Sequence, residues 1–133
     1  MTQFGSRRGS AMVEGALVFL VFGVLMAGIF ELGIVGFAAN SVSFAAHRGA
    51  RFASVRGSTS GRAATLDEIR ASAKASAAPL NLSNLNVDIT WLPDNQPGSS
   101  VQVTVSYAIL PGLAPLSAGA LTLRSTARAR IVQ

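Results

Sequence analysis

A long uncharged apolar run near the amino terminus constrains this chain more than any other feature. Residues 15–30 contain no charged or strongly polar side chain, and after Glu31 the apolar run continues to Ala39. Residues 15–39 would form a helix of about 37 Å at ~1.5 Å per residue, longer than the ~30 Å hydrocarbon core of a bilayer. Because lipid offers the backbone no hydrogen-bond partner, the sequence predicts a membrane-spanning helix.

A cleaved secretory signal peptide is the competing interpretation, with Arg7 and Arg8 as its charged region. Such a peptide has an apolar region of about 7–15 residues, followed closely by a cleavage site of small residues. Here the apolar run is longer, its first part has an acid at each end (Glu14 and Glu31), and no A-x-A-like site follows it. The sequence therefore favours a retained anchor.

Composition limits the chemistry available to the chain. There is no cysteine and one histidine, His47, which excludes disulfides, thiolate metal sites and any site that needs two imidazoles. No nucleophile elbow or phosphate-binding loop occurs in the sequence. The net charge of +5 is spread along the chain without a dense Lys/Arg run, so no nucleic-acid surface is indicated. We therefore expect a protein that is not an enzyme and binds no cofactor, metal or nucleic acid.

Glu14 lies at the start of the apolar run, four residues after Ser10. A carboxylate at the edge of lipid costs free energy unless it is paired. The simplest interpretation is that Glu14 marks the water-facing start of a helix, where the helix dipole favours an anion. The alternative is a functional role for the whole segment from the arginines to Glu14.

The segment from Arg7 to Glu14, together with the apolar helix after it, resembles the processing site of type IV pilins and pseudopilins. In this segment two arginines precede Gly9, and Glu14 follows Gly9 by five residues. The resemblance implies that a prepilin peptidase cuts between Gly9 and Ser10, which makes Glu14 the fifth residue of the mature chain. It also implies that the freed amine of one subunit pairs with Glu14 of its neighbour. No other glycine in the chain has a glutamate five positions later.

Four segments are similar to the TadE family, the minor pilins of tight-adherence (Tad, or Flp) pili. They are the opening at 9–18, Phe30-Glu31-Leu32-Gly33, the alanine- and arginine-rich segment 45–52, and the segment 123–128 of the last strand. In segment 45–52 His47 and Arg48 stand where the family often has arginine and glutamate, so the family's charge pairing is not carried over to this chain.

The family resemblance implies a minor pilin that helps to initiate, cap or stabilise a pilus. Its location would be the bacterial inner membrane, with a cytoplasmic amino terminus and an external head, and later the pilus. The implied partners are the prepilin peptidase, other pilin subunits through helix packing, the inner-membrane assembly platform and membrane lipid. The alternative is an unprocessed bitopic membrane protein whose extracytoplasmic head binds an envelope partner, with no need of Gly9 or Glu14.

Three charged residues are candidates for buried or interface positions: Glu31, Arg48 and Arg51. Glu31 either faces a partner or a water-filled cavity, or marks the outer boundary of the membrane. Arg48 lies in a stripe with Phe37, Phe44, Phe52 and Val55. It either extends its charge into solvent or pairs with an acid on the head or on a neighbouring subunit.

The sequence pattern of the whole chain predicts an α+β fold. We expect a cytoplasmic leader at 1–9, a long helix at 10–56 (anchor about 15–39), a linker at 57–64 and a small head at 65–133. Thr65 and Glu68 form a capping-box pattern, and Pro79 should stop the short helix near Ala78. Alternating apolar residues predict three strands near 87–91, 101–109 and 121–131, in an antiparallel meander. The outer half of the long helix and the short helix can cover one face of this sheet.

Overall fold

The computed structural model describes residues 6–110, 112 and 119–132, with side chains from residue 9 onward. The helices are α1 (Ser6–Ser54) and α2 (Leu66–Ser76), and a short 3-10 turn spans Leu82–Asn84. The strands are β1 (Leu85–Leu92), β2 (Ser100–Ile109) and β3 (Leu121–Arg130). Within these residues the fold is the predicted one: a long apolar helix, a short second helix and a three-stranded antiparallel sheet.

The long helix differs slightly from its predicted bounds. It begins at Ser6, four residues before the expected start, and ends at Ser54 rather than at residue 56. No proline separates Ser6 from the apolar run, so the helix extends back through the last part of the predicted leader. Residues 1–5 of that leader lie outside the described residues, as does most of the predicted turn at 111–119.

The chain divides into two compact units, Met1–Ile34 and Val35–Gln133. In the first unit, α1 exposes apolar side chains around most of its circumference, including Phe19 at 76% and Leu32 at 74% exposed. An α-helix that is apolar all round suits lipid or partner helices rather than water. Among the described residues α1 is long and apolar enough to cross a membrane, which fits a single-pass membrane protein.

The second unit is built on the sheet, in which the strand order is β1-β2-β3 and both pairings are antiparallel. Val103 at the centre of β2 faces Ile89 of β1 and Ala127 of β3. The strands alternate between a core face and a polar face, as their period-two pattern predicts. On the polar face Thr104 is nevertheless buried, and its hydroxyl lies 3.0 Å from that of Thr126 across the strands.

The part of α1 in the second unit covers the sheet through small side chains. Its buried residues are Ala38, Val42, Ala45, Ala46, Gly49, Ala50, Ala53 and Ser54. A Cβ added at Gly49 would lie 3.2 Å from Val103 Cγ1 and 3.3 Å from Ala73 Cβ. Within the aromatic stripe, Phe37 and Phe44 are exposed and Phe52 is half-buried. The long helix thus covers the sheet, and the side that packs most closely is the alanine side.

The second helix forms as its sequence predicts. The Thr65 side chain accepts from the Glu68 N–H at 3.2 Å, and Glu68 Oε2 accepts from the Thr65 N–H at 3.0 Å. Ile69 and Ala73 are fully buried against the core. The helix ends at Ser76, two residues before the expected stop. An isolated helix of 11 residues is unstable in water, so α2 is stabilised by this cap and by its packing against the core.

Candidate functional site

The Gly9–Ser10 peptide bond lies close to the start of α1. Gly9 is the fourth residue of the helix and therefore lies in its first turn. Both residues are exposed. Helix ends fray readily, and this bond therefore lies where the helix opens at the least cost in free energy.

Gly9 is not required by packing within the described residues. A Cβ added at this position would meet no heavy atom within 4 Å, and glycine costs about 1 kcal/mol relative to alanine in a helix interior. Gly9 shares this lack of a steric role with other glycines of α1, among them Gly15 and Gly23, and its predicted role as a processing site stays a prediction.

Glu14 follows Ser10 by four residues and is exposed. Residues four apart in an α-helix lie on the same face, one turn above the other, so a new amine at Ser10 would lie on the face that carries Glu14. No described residue forms a hydrogen bond or ion pair with the Glu14 carboxylate. Its counter-charge would therefore come from outside the described side chains, for example from the processed terminus, another chain or solvent.

The apolar part of α1 beyond Glu14 presents open glycines. An added Cβ at Gly15, Gly23, Gly28 or Gly33 would meet no atom within 4 Å. Small residues on a membrane helix let a partner helix approach closely. Glu31, on the same helix, is half-buried, and its predicted placement at a partner, a cavity or the membrane boundary stays a prediction.

Arg48 and Arg51 are both exposed in the second unit. The Arg48 guanidinium lies over the Phe44 ring, 5.4 Å from its centroid, which is within the range of cation–π attraction. Among the described residues the salt bridges of the head are Arg62–Glu68 and Arg70–Asp67, so neither Arg48 nor Arg51 pairs with an acid of its own head.

A cleft of about 160 Å³ lies between the end of α1 and α2. We call it the arginine cleft, and it is lined by Arg48, Arg51, Phe52, Val55 and Ser72. The four α1 residues share one helix face because they are three or four positions apart. Sequence reasoning singled out the two arginines but missed Ser72, because nothing in the sequence indicates which side of α2 lies beside α1.

One family model matches the chain. Residues 9–51, roughly a third of the 133 residues, match the model of the TadE-like protein family. The match begins at Gly9 and includes Glu14, Glu31, Arg48 and Arg51. It confirms the family resemblance over this segment. No curated protein and no solved structure matches the chain.

Proposed function

We propose, from the TadE-like segment at residues 9–51, that this chain is a minor pilin of a Tad (Flp) pilus, matured by a prepilin peptidase. The family match indicates association with a Tad pilus. The observation that carries the finer proposal is an exposed glycine that meets no side chain among the described residues, followed by Glu14 and a stretch of exposed apolar residues in α1. The role is structural rather than catalytic.

In the first step, the peptidase would hydrolyse the Gly9–Ser10 bond. Gly9 presents its backbone without a side chain, and the first turn of α1 can open to admit it. Cleavage removes Arg7 and Arg8, two cations at the helix amino terminus, where the helix dipole disfavours positive charge. The new chain would begin at Ser10 with one ammonium group.

In the second step, the processed helices would pack side by side. Glu14 in an apolar bundle needs a counter-charge, and the ammonium of a neighbouring Ser10 would supply it. This pair fixes the axial register of helices that apolar contacts alone would leave free to slide, while the open glycines permit close approach. Other pilin subunits and the inner-membrane assembly platform are the partners of this step.

The mass of the mature protein, purified from its native membrane, tests the first step. We expect a chain that lacks residues 1–9, and essentially no processing in a Gly9→Asp variant. Gly5→Asp is the matched control, because it adds the same side chain four residues upstream and should be processed normally. A native protein that retains Met1 in peptidase-positive cells contradicts the proposal and leaves the unprocessed bitopic protein.

Glu14→Ala tests the second step separately. We expect cleavage to continue, because Gly9 and Ser10 are intact, while the amount of assembled pilus falls severalfold. The readouts are the mass of the mature chain and the quantity of sheared pili. Normal pili from this variant would exclude the pairing of Glu14 with a neighbouring amine.

A further inference from the structure

The arginine cleft has the chemistry of a carboxylate site. Arg48 and Arg51 stand three residues apart on one face of α1, and their guanidinium groups form no salt bridge or hydrogen bond within the described residues. Guanidinium groups bind carboxylates through paired, charge-assisted hydrogen bonds. Ser72 is half-buried on the α2 side of the cleft and can donate a further hydrogen bond from its hydroxyl.

The rest of the cleft suits the stem of an acidic side chain. Phe52 and Val55 are the apolar residues of its lining, against which methylene groups can pack. The Arg56 guanidinium lies 4.2 Å from the centroid of the Phe52 ring, within the range of cation–π attraction. The cavity of about 160 Å³ greatly exceeds the ~15 Å³ that a single water needs, so a side chain can enter it.

The charge of the unit Val35–Gln133 indicates that the acid comes from a different protein. Residues 35–133 contain nine Lys/Arg and four Asp/Glu, a net charge of +5. Asp67 and Glu68 already pair with Arg70 and Arg62, and Asp94 accepts hydrogen bonds from its own loop. The fourth acid, Asp88, is exposed on β1 and accepts a hydrogen bond from the Asn86 side chain. A second copy of this head therefore offers few available carboxylates and a repulsive net charge.

We propose that the arginine cleft receives the carboxylate of an acidic segment from another, more acidic protein chain. Arg48 and Arg51 bind the carboxylate, Ser72 donates to it, and Phe52 and Val55 contact its stem. The site lies wholly in the unit Val35–Gln133, so it does not depend on cleavage after Gly9.

The test uses the full chain in nanodiscs of neutral lipid. The probe is a short fluorescent peptide with one Glu among uncharged residues, and its twin with Gln in that position. Fluorescence anisotropy should show binding of the Glu peptide at least about tenfold tighter than the Gln peptide. Arg48→Gln/Arg51→Gln should remove that preference. Unprocessed Gly9→Asp protein should bind like the parent chain, which separates this site from the pilin proposal.

Arg124→Gln/Arg130→Gln is the matched control. It removes the same charge from exposed positions on β3, which the cleft does not include, and should leave the affinity within about twofold. An equal loss in the control would mean that net charge alone attracts the peptide, and the proposal would fail. The trypsin-resistant fragment and the Trp91 fluorescence of each variant verify that the head is folded.

Two other occupants are outcomes of the same experiment, and each would overturn the proposal. If nanodiscs of anionic lipid abolish peptide binding that neutral nanodiscs permit, a lipid headgroup is the occupant. If the protein self-associates and Asp88→Asn abolishes that association together with Arg48→Gln/Arg51→Gln, the occupant is a second copy of this chain. Equal binding of the Glu and Gln peptides also contradicts a carboxylate site.

Discussion

Gly49 and the glycines of the apolar helix serve different purposes. At Gly49 a Cβ would crowd Val103 and Ala73, at 3.2 and 3.3 Å, closer than ordinary van der Waals contact between carbons. At Gly9, Gly23 and Gly33 the same atom would meet open space within the described residues. The head itself therefore requires the first glycine, whereas the others are available for recognition by other molecules.

Gly49→Leu should destabilise the head by about 1–3 kcal/mol, because the larger side chain forces α1 away from β2 and α2. Gly36→Leu is the control on the same helix, since a Cβ at Gly36 meets no atom within 4 Å. Leucine also has the better helix propensity, so the control should be neutral or slightly stabilising. Trp91, the single tryptophan, lies in β1 and reports unfolding in urea. Equal midpoints for the two variants would contradict close packing at Gly49.

Two carboxylates of the head should make its stability sensitive to acid. A hydrogen bond from the Ser99 hydroxyl, at 2.5 Å, and one from the Gln96 N–H hold the pKa of Asp94 below its usual value. The Thr65 N–H, aided by Arg62, does the same for the pKa of Glu68. A lowered folded-state pKa contributes stability above the unfolded-state pKa, and that stability is lost as the pH falls.

We therefore expect the urea midpoint to stay constant from pH 7 to about pH 5. It should then decrease as the pH falls through the ordinary pKa values of 4.5 for Glu68 and 3.8 for Asp94 towards their lowered values. Asp94→Asn/Glu68→Gln should be less stable at pH 7 and show a smaller decrease in acid. If the double variant loses as much stability as the parent chain between pH 5 and pH 3, these two groups are not the cause.

At the scale of elements, α2 depends on its amino-terminal cap. The reciprocal hydrogen bonds between Thr65 and Glu68 satisfy two backbone N–H groups that the helix leaves free. Thr65→Ala removes the side-chain acceptor and should reduce the free energy of unfolding by about 1 kcal/mol. Thr59→Ala, at an exposed loop position, is the control and should change it little. An unchanged urea midpoint for Thr65→Ala would show that docking alone holds α2.

The sequence was informative where the pattern is local. Alternation in the strands predicts which face of the sheet is buried, and Thr65 with Glu68 predicts where α2 begins. The tightly packed side of α1 is harder to predict, because alanine and glycine give a weak hydrophobic signal while Phe37 and Phe44 give a strong one. What decides the packing is how closely the helix can approach β2, and that depends on the small size of Gly49 and its neighbours.

The candidate site was predictable to a similar degree. The resemblance to pilin processing sites singled out Gly9, Ser10 and Glu14, and their roles stay predictions, whereas the family resemblance itself is confirmed by the match over residues 9–51. The arginine cleft needs the third dimension, because Ser72 comes from α2, which lies beyond the linker at 57–64. Sequence spacing indicates that Arg48 and Arg51 share a face, but not what stands opposite them.

At the scale of the whole molecule, a simple count of the arginines on each side of the apolar helix does not determine its orientation in the membrane. Arg7 and Arg8 precede the apolar helix, and Arg48, Arg51 and Arg56 follow it. The positive-inside rule, however, counts charges on short loops, and long domains cross the membrane largely regardless of their charge. The later arginines belong to the unit Val35–Gln133, which exceeds the ~60 residues of a short loop. The first two should therefore decide the orientation, with the amino terminus in the cytoplasm.

Single-cysteine labelling can test this orientation cleanly because the chain has no cysteine of its own. Thr59→Cys is at an exposed position of the head and should react with an impermeant maleimide in intact spheroplasts. Ser6→Cys, in a Gly9→Asp background that keeps the leader attached, should react only after the inner membrane is permeabilised. The reverse pattern would place the head in the cytoplasm. It would also be incompatible with a pilin, because a subunit so oriented cannot deliver its head to an external filament.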